Sequence, residues 1–509
     1  MTDVVLPLLI AVPILAAVLP LLLSLKTTET GWYVAAATCL VEAGLAAVLV
    51  RAVYADGRLS HYVGDYAPPH GIELVGDGLS APVVGLIAVV ALGVVAYAYT
   101  AGPRRNSFYS AYLLLVGGLM GVSVTGDLFN MFVFLEITGL ATYALVAADR
   151  SGESAVAALK YLILGTTGAS LFLIGVGYAF IATGTLNMVD LSRQLAGAGG
   201  GAALYSSRVV LASFGFIVVG LGLKAAVFPL HTWQPDAYTY SPDTVTAFIS
   251  ALASTVAAYA IGRVVLTVYT LSFFEAAPLA RAAVLAFASV SVLAGSALAV
   301  VQTEIKRMLA YSSVSQFGLV IAGFALATPD AVLGAVVHLV GHGLMKGGLF
   351  AATAILAARH GARTVDDYAR LGYRSPVVAG VVGVLGVALV GVPPSIGFLG
   401  KWYIAVGAVR AEAWPVAVVV FLSTMLTLAY VARLLERLYF APPEAASSAP
   451  SGADAVADGG EAPDSRAPEA VSAGMVAVVV LAALVVVALG FSTGVFETFL
   501  DPVLGGVFQ

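Results

Sequence analysis

Apolar runs of about 20 residues, the length a helix needs to cross a hydrocarbon core about 30 Å thick, recur along nearly the whole of this 509-residue chain. No other feature constrains the fold as strongly, because in hydrocarbon each backbone polar group must find its partner within the spanning structure. Spans are expected near 3–25, 31–54, 79–101, 107–125, 127–148, 159–184, 207–229, 243–270, 277–299, 309–328, 331–357, 376–409, 412–440 and 472–495, fourteen in all. The division within 107–148 rests on the Gly126-Asp127 break. Only 10% of the residues are charged and 60% are hydrophobic, where a soluble domain carries roughly 25% charged residues. The expected class is an all-α integral membrane protein. Asp3 precedes the first run with no positive residue before it, which argues for a retained helix and against a cleaved signal peptide.

The charge balance, 24 Lys and Arg against 29 Asp and Glu, offers no basic surface to a nucleic-acid backbone. The single cysteine, Cys39, excludes an internal disulfide, a CxxC redox pair and a Cys-ligated metal centre. Loops after odd-numbered spans hold fourteen cations and those after even-numbered spans hold seven, Arg51, Arg58, Arg193, Arg208, Arg263, Arg281 and Arg410. By the positive-inside bias both termini are expected outside. Residues 441–470, built of Ala, Pro, Ser, Gly and acids, read as a disordered cytoplasmic linker. The glycine-rich stretch 196–202 has no phosphate-loop pattern around it and reads as an exterior loop.

Ionisable residues inside spans are the informative ones, since each costs about 2.5–3.5 kcal/mol even on the lenient insertion scale. They are Lys224, Lys346, Lys401, Glu42, Glu136, His338 and His342. Glu136 lies nine residues beyond Asp127, about 13 Å along a helix, with Thr142 and Tyr143 two turns on as hydrogen-bond candidates. The bland alternative is a carboxylate that only clamps two helices. Lys224 stands five residues before Pro229, whereas Pro393 and Pro394 stand before Lys401. Proline breaks or kinks a helix and frees carbonyls, and paired interrupted helices point to inverted repeats around a translocation site. Residues 107–270 and 277–440 would be two five-helix repeats, each with a broken helix, after three N-terminal helices in 1–106 and before a last helix in 471–509.

His338, His342 and Lys346 follow at i, i+4 and i+8, a ladder roughly 12 Å long on one helix face. Histidine titrates closest to neutral pH, so such a ladder suits proton hopping. A metal reading of the HxxxH spacing lacks the glutamate of HExxH and a third ligand; a packing-only histidine pair is the other alternative. Glu42 is a lone acid with no partner evident from sequence.

Five ordered stretches, GDLFNMFVFLEITGLATYAL, LKAAVFPLHTWQPDAY, EIKRMLAYSSVSQFGLV, HLVGHGLMKGG and VPPSIGFLGKWY, resemble the antiporter-like subunits shared by Mrp-type cation/proton antiporters and respiratory complex I. The resemblance covers about residues 70–440, and the DLFN–FVFLE form and the VDDYARLG loop resemble the D-type member of the Mrp antiporter most. It implies a proton-translocating subunit of a multisubunit sodium/proton antiporter in the cell membrane, partnered by other antiporter subunits, carrying protons and monovalent cations, with no cofactor and no enzymatic reaction of its own. It further implies that Glu136 and Lys224 form a carboxylate–lysine pair, that His338, His342 and Lys346 form a central polar axis, and that Lys401 is a terminal lysine facing the next subunit. Thr255 occupies the place where many relatives carry a bridging lysine, so the expected route from Lys224 to the ladder leans on His231, Ser254, Thr255 and water. Two rivals remain. One is a proton-pumping subunit of a complex I-like oxidoreductase or membrane-bound hydrogenase; the other is a structural membrane anchor.

Overall fold

The computed structural model describes residues 2–27, 29–197, 201–442 and 471–508. The expected linker at 441–470 lies outside the described residues beyond Pro442, as does the 198–200 part of the glycine-rich loop. Among the described residues, twelve helices are long and apolar enough to cross a membrane. Spans 1 to 6 are Val5–Leu23, Gly31–Asp56, Ser80–Ala101, Asn106–Val124, Leu128–Asp149 and Gly152–Thr183. Spans 8 to 11 are Asp243–Ala276, Pro278–Val301, Ile305–Leu326 and Pro329–His360, and spans 13 and 14 are Trp414–Phe440 and Ala473–Phe491. Span 7 is interrupted, as Arg208–Lys224 and Gln234–Tyr240, and so is span 12, as Pro376–Val390 and Ile396–Arg410. These two complete the fourteen expected traverses. Spans 8, 10 and 11 are enclosed by the others, and spans 1, 2, 13 and 14 lie at the periphery.

Local sequence sets the helix starts. Pro278, Pro329 and Pro376 open their helices, where the missing N–H costs nothing and the fixed φ suits a first turn. Side chains of Asp127, Ser151, Thr328 and Ser395 accept from backbone N–H groups three residues on, satisfying donors a helix leaves orphaned. Spans 6 and 7 meet backbone to backbone: a Cβ on Gly220 would lie 2.5 Å from the Gly168 carbonyl oxygen, the close approach that small residues permit in membranes.

The loop between spans 2 and 3 holds an antiparallel hairpin that the apolar pattern did not suggest, β1 (Leu59–Tyr62) and β2 (Glu73–Gly76), with Tyr62 opposite Glu73. After span 14 a further helix, Thr493–Phe508, extends the expected last helix, its Phe499 ring 5.3 Å from Tyr54.

Matching backbone details recur between the two halves of the chain. Leu128 N–H donates to the Leu186 carbonyl at 3.0 Å and Met188 N–H to Gly126 at 2.8 Å, closing the open end of the hairpin made by spans 5 and 6. Ile305 N–H donates to Arg363 and Val365 N–H to Thr303, both at 2.9 Å, closing the hairpin of spans 10 and 11 in the same way. Each member of the second bracket follows its counterpart by 177 residues, as 303 does 126 and 365 does 188. The capping pair Ser151 and Thr328 and the left-handed glycines Gly184 and Gly361 keep that offset. Lys224 and Lys401 keep it too.

Candidate functional site

The first half of span 7 ends on Lys224, and Ala226 turns the chain with a φ of 59°. The carbonyls freed by the break are taken up nearby: Trp233 Nε1 donates to Leu223 at 2.9 Å and Ser254 Oγ lies 3.5 Å from the Lys224 carbonyl. Lys224 Nζ lies 3.2 Å from Glu136 Oε1 and 3.5 Å from the Leu135 carbonyl. The pair is lopsided in exposure, with the lysine side chain 7% exposed and the carboxylate 28%, so Glu136 is its outward-facing member. A cation at a helix C-terminus also gains from the helix dipole. Tyr143 stands beside the pair with its buried hydroxyl unpartnered; a Cβ on Gly139 would lie 2.9 Å from that hydroxyl and 3.3 Å from Lys224 Nζ. Thr142, expected to reach the carboxylate, instead donates to the Thr138 carbonyl of its own helix at 2.7 Å. A threonine in a helix readily bonds back one turn, which removes its hydroxyl from other partners.

Lys401 has a different kind of partner. Its Nζ donates to the carbonyls of Leu389 and Val390 at 2.9 and 3.0 Å, the last two residues of the first half of span 12. Gly391 follows at a φ of 94°, and a Cβ there would stand 3.1 Å from Lys401 Cδ, so glycine meets both the backbone and the space requirement. The expectation that proline breaks free carbonyls for a cation is realised here. The reversed order of lysine and proline reflects breaks on opposite sides of two lysines in equal register.

The ladder lies between these ends, on span 11. His338 Nε2 shares a hydrogen with Gln316 Oε1 at 2.8 Å, and its ring is 6.4 Å from that of His342. His342 has no partner for either nitrogen among the described residues and meets Phe317 edge-on at 4.7 Å. Lys346 Nζ donates to the Leu309 carbonyl at 2.7 Å and to Ser312 Oγ. All three ladder side chains are fully buried. Span 10 thus supplies Leu309, Ser312 and Gln316 at helical spacing, and the polar letters of YSSVSQ were the signal for the last two. Gly400 seats span 12 against the ladder: a Cβ there would lie 2.5 Å from that of His338. Of the auxiliary residues, Ser254 accepts from Gln234 Nε2 at 3.1 Å, and Gln234 was not singled out from sequence. Thr255 donates to Ala251 of its own helix at 2.7 Å, and His231 stacks on Phe228 with Nδ1 unpartnered.

Arg263 requires a correction. Counted above with the exterior loops, it is 3% exposed inside span 8 and forms a two-bond pair with Asp77, Nη1 to Oδ2 at 2.5 Å and Nη2 to Oδ1 at 2.8 Å. The Tyr259 hydroxyl accepts from Arg263 Nη2 at 2.8 Å and donates to the Ser123 carbonyl at 2.7 Å. Burial pushes the Asp77 carboxyl up, but the guanidinium and the N–H groups of Ser80 and Leu79 outweigh it and hold it below the usual carboxylate range. Glu73 ties the hairpin to the first bracket, with Arg58 at 2.8 Å and Asn187 at 3.0 Å on its two oxygens.

Glu42 is fully buried in span 2, and neither carboxyl oxygen has a partner among the described residues. Replacing an unpartnered buried polar group by an apolar one of similar shape is neutral or stabilising. Glu42→Leu is therefore expected to hold or raise the melting temperature of the detergent-purified chain, by up to about 3 kcal/mol, with transport intact; a lower melting temperature would reveal a hidden partner.

The family described as NADH:quinone oxidoreductase/Mrp antiporter, TM matches residues 125–427. The chain belongs to this family. Among its relatives, the N-type subunit of the NADH-quinone oxidoreductase of Desulforudis audaxviator (strain MP104C) is 40% identical, covering 84% of this chain and 86% of the relative. The D-type subunit of the Na(+)/H(+) antiporter of Bacillus subtilis (strain 168) is 30% identical, covering 85% of each. A solved chain in the Mrp complex from Dietzia sp. DQ12-45-1b superposes with a TM-score of 0.86 at 26% identity over 100% of this chain and 98% of that one. The family is the one expected from the five motifs, and both of its branches, antiporter and oxidoreductase, align along more than four fifths of the chain.

Proposed function

We propose that this family member is the proton-translocating subunit of a multisubunit monovalent cation/proton antiporter, with sodium as the exchanged cation. The observation that carries the reading is the buried Lys224–Glu136 pair at the end of an interrupted helix. An opposite charge nearby favours the ammonium form, and desolvation disfavours it once the pair opens. Ion movement elsewhere in the complex would open and close the pair, and Lys224 would then release its proton towards Lys346, His342, His338 and finally Lys401. His231, Ser254 and Thr255 stand nearest in role to a bridge, with Pro229, Pro393 and Pro394 keeping both spans interrupted. Each charge that crosses is worth about 2.3 kcal/mol per 100 mV, comparable to parting a partly hydrated ion pair. The chain is read as a transporter subunit of the plasma membrane with both termini outside and with other antiporter subunits as partners. The repeats are assigned to 107–270 and 277–440.

A second reading is favoured by the 40% identity to an oxidoreductase subunit of the N type: the same axis driven by redox energy in a complex I-like assembly. Tagged chain, purified with its native partners and reconstituted, separates the two. Sodium-dependent proton exchange in the absence of any electron donor is the expected result. Proton movement only with an electron donor and acceptor transfers the chain to the second reading.

A further inference from the structure

An apolar crevice of about 770 Å³ opens on the lateral face between the first half of span 7 and the start of span 9. Its lining is aliphatic and aromatic apart from Ser206 at one end, and it runs inward to Phe228 and Pro229 at the span 7 break. Leu279 and Phe287 on its far wall are 81% and 61% exposed, so the crevice opens sideways, towards lipid. Along span 7 the lining runs from Leu211 to Gly222, eleven steps or about 16 Å along the helix axis. One leaflet of the hydrocarbon core is about 15 Å deep. The dimension is that of one acyl chain.

The end at Ser206 carries the charge. Arg208, the first residue of span 7, lies three residues before Leu211 and seven before Gly215, on the stripe that lines the crevice. It is exposed and has no partner among the described residues. Arg281, on the other wall, is committed to the C-terminal carbonyls of span 10, with Ala325 at 3.0 Å and Leu326. Glu275 is exposed beside Ala276, so the selectivity of the rim has to be read by difference between headgroups.

We infer that this crevice binds one anionic glycerophospholipid, an acyl chain lying along span 7 and the phosphate pairing with Arg208. An apolar slot one leaflet deep with an unpaired guanidinium at its mouth matches that amphiphile in both length and charge. The chain end rests against Phe228 and Pro229, so the lipid packs on the interruption that follows Lys224.

The test uses the assembled complex, equilibrated with equal amounts of dioleoylphosphatidylglycerol and dioleoylphosphatidylcholine, washed in detergent and weighed by native mass spectrometry. Wild type is expected to retain one more phosphatidylglycerol per chain than Gly215→Phe, and to prefer it about threefold over phosphatidylcholine at that site, because both phosphates can reach Arg208 but the quaternary ammonium of phosphatidylcholine offsets the negative charge that the guanidinium attracts. A Cβ on Gly215 meets nothing within 4 Å, so a side chain there starts in open space on the crevice wall; Ala283→Phe blocks the crevice from the other wall. Arg208→Gln is expected to keep a lipid but lose the preference. Equal retention of phosphatidylglycerol by wild type and both blocked variants overturns the inference, and so does equal retention of the two lipids by wild type. Crosslinking of Gly215→Cys to a neighbouring subunit, with no lipid displaced by the blocking variants, assigns the crevice to a protein partner and overturns it as well.

Discussion

In vesicles carrying the assembled complex, Lys224→Ala is expected to lower sodium-dependent proton flux per assembled complex by about two orders of magnitude, and Glu136→Gln to do the same. Alanine at 224 removes the group that carries the proton and glutamine at 136 removes the charge that holds it, and a hundredfold loss of flux corresponds to about 2.7 kcal/mol added to the barrier. The Lys224 side chain is the more buried of the two, so alanine leaves Glu136 a route to water while glutamine strands an ammonium among helices. Lys224→Ala is therefore expected to assemble more fully than Glu136→Gln, and flux is compared per assembled complex. A pair that only anchors helices gives the opposite pattern: assembly falls, and the flux of each surviving complex stays at the wild-type level. Flux retained by both variants moves the proton path to another subunit.

The second large effect is on stability. Asp77→Asn and Arg263→Met are each expected to destabilise the purified chain by about 3–5 kcal/mol, because each leaves a buried charge or its donors unpaired. The double variant is expected to recover most of that loss, since exchanging a whole buried pair for neutral groups is often neutral or stabilising. Thermal melting of all four proteins closes the cycle, and additive losses in the double variant would show that the two residues act separately. The pair also sets an acid limit. The Asp77 carboxyl titrates lower in the folded chain than in the unfolded one, so the unfolded state takes up protons first as pH falls. Its stabilisation is complete above the ordinary carboxylate value of about 3.9 and disappears as pH drops through the lower folded value. Asp77→Asn is expected to remove that step from the melting profile.

The spans, their two interruptions and the Lys224–Glu136 pair were legible because a charge or a proline inside an apolar run conflicts with its surroundings and so marks itself. The ladder was legible for the same reason. Asp77 and Arg263 were not, since Arg263 closes the regular α-helical part of span 8 (Asp243–Arg263), where a cation reads as the start of a loop, and its partner is 186 positions away. Nothing local to either residue announces the other. The β1–β2 hairpin escaped notice because its strands are four residues long each, too short for alternation to stand out. Thr142 and Thr255 were assigned outward-reaching hydroxyls, but backbone carbonyls one turn back were nearer. The equal register of Lys224 and Lys401 was present in the numbering, yet it acquired meaning only once the brackets fixed an offset of 177 residues between the halves.

Those brackets have a mechanical consequence. Spans 5 and 6 are joined by chain at Arg150 and Ser151 and by backbone hydrogen bonds at the other end; spans 10 and 11 are joined by chain at Ala327 and Thr328 and hydrogen-bonded at theirs. Each hairpin is a ring closed at both ends, and neither can splay like tongs. Glu136 rides on the first ring and the histidines and Lys346 on the second, whereas Lys224 and Lys401 belong to the interrupted spans threaded beside them. The molecule is thereby divided into a chassis that carries Glu136, the histidines and Lys346 and two jointed rods that carry Lys224 and Lys401, and a backbone stroke that parts Lys224 from Glu136 is a displacement of the rod.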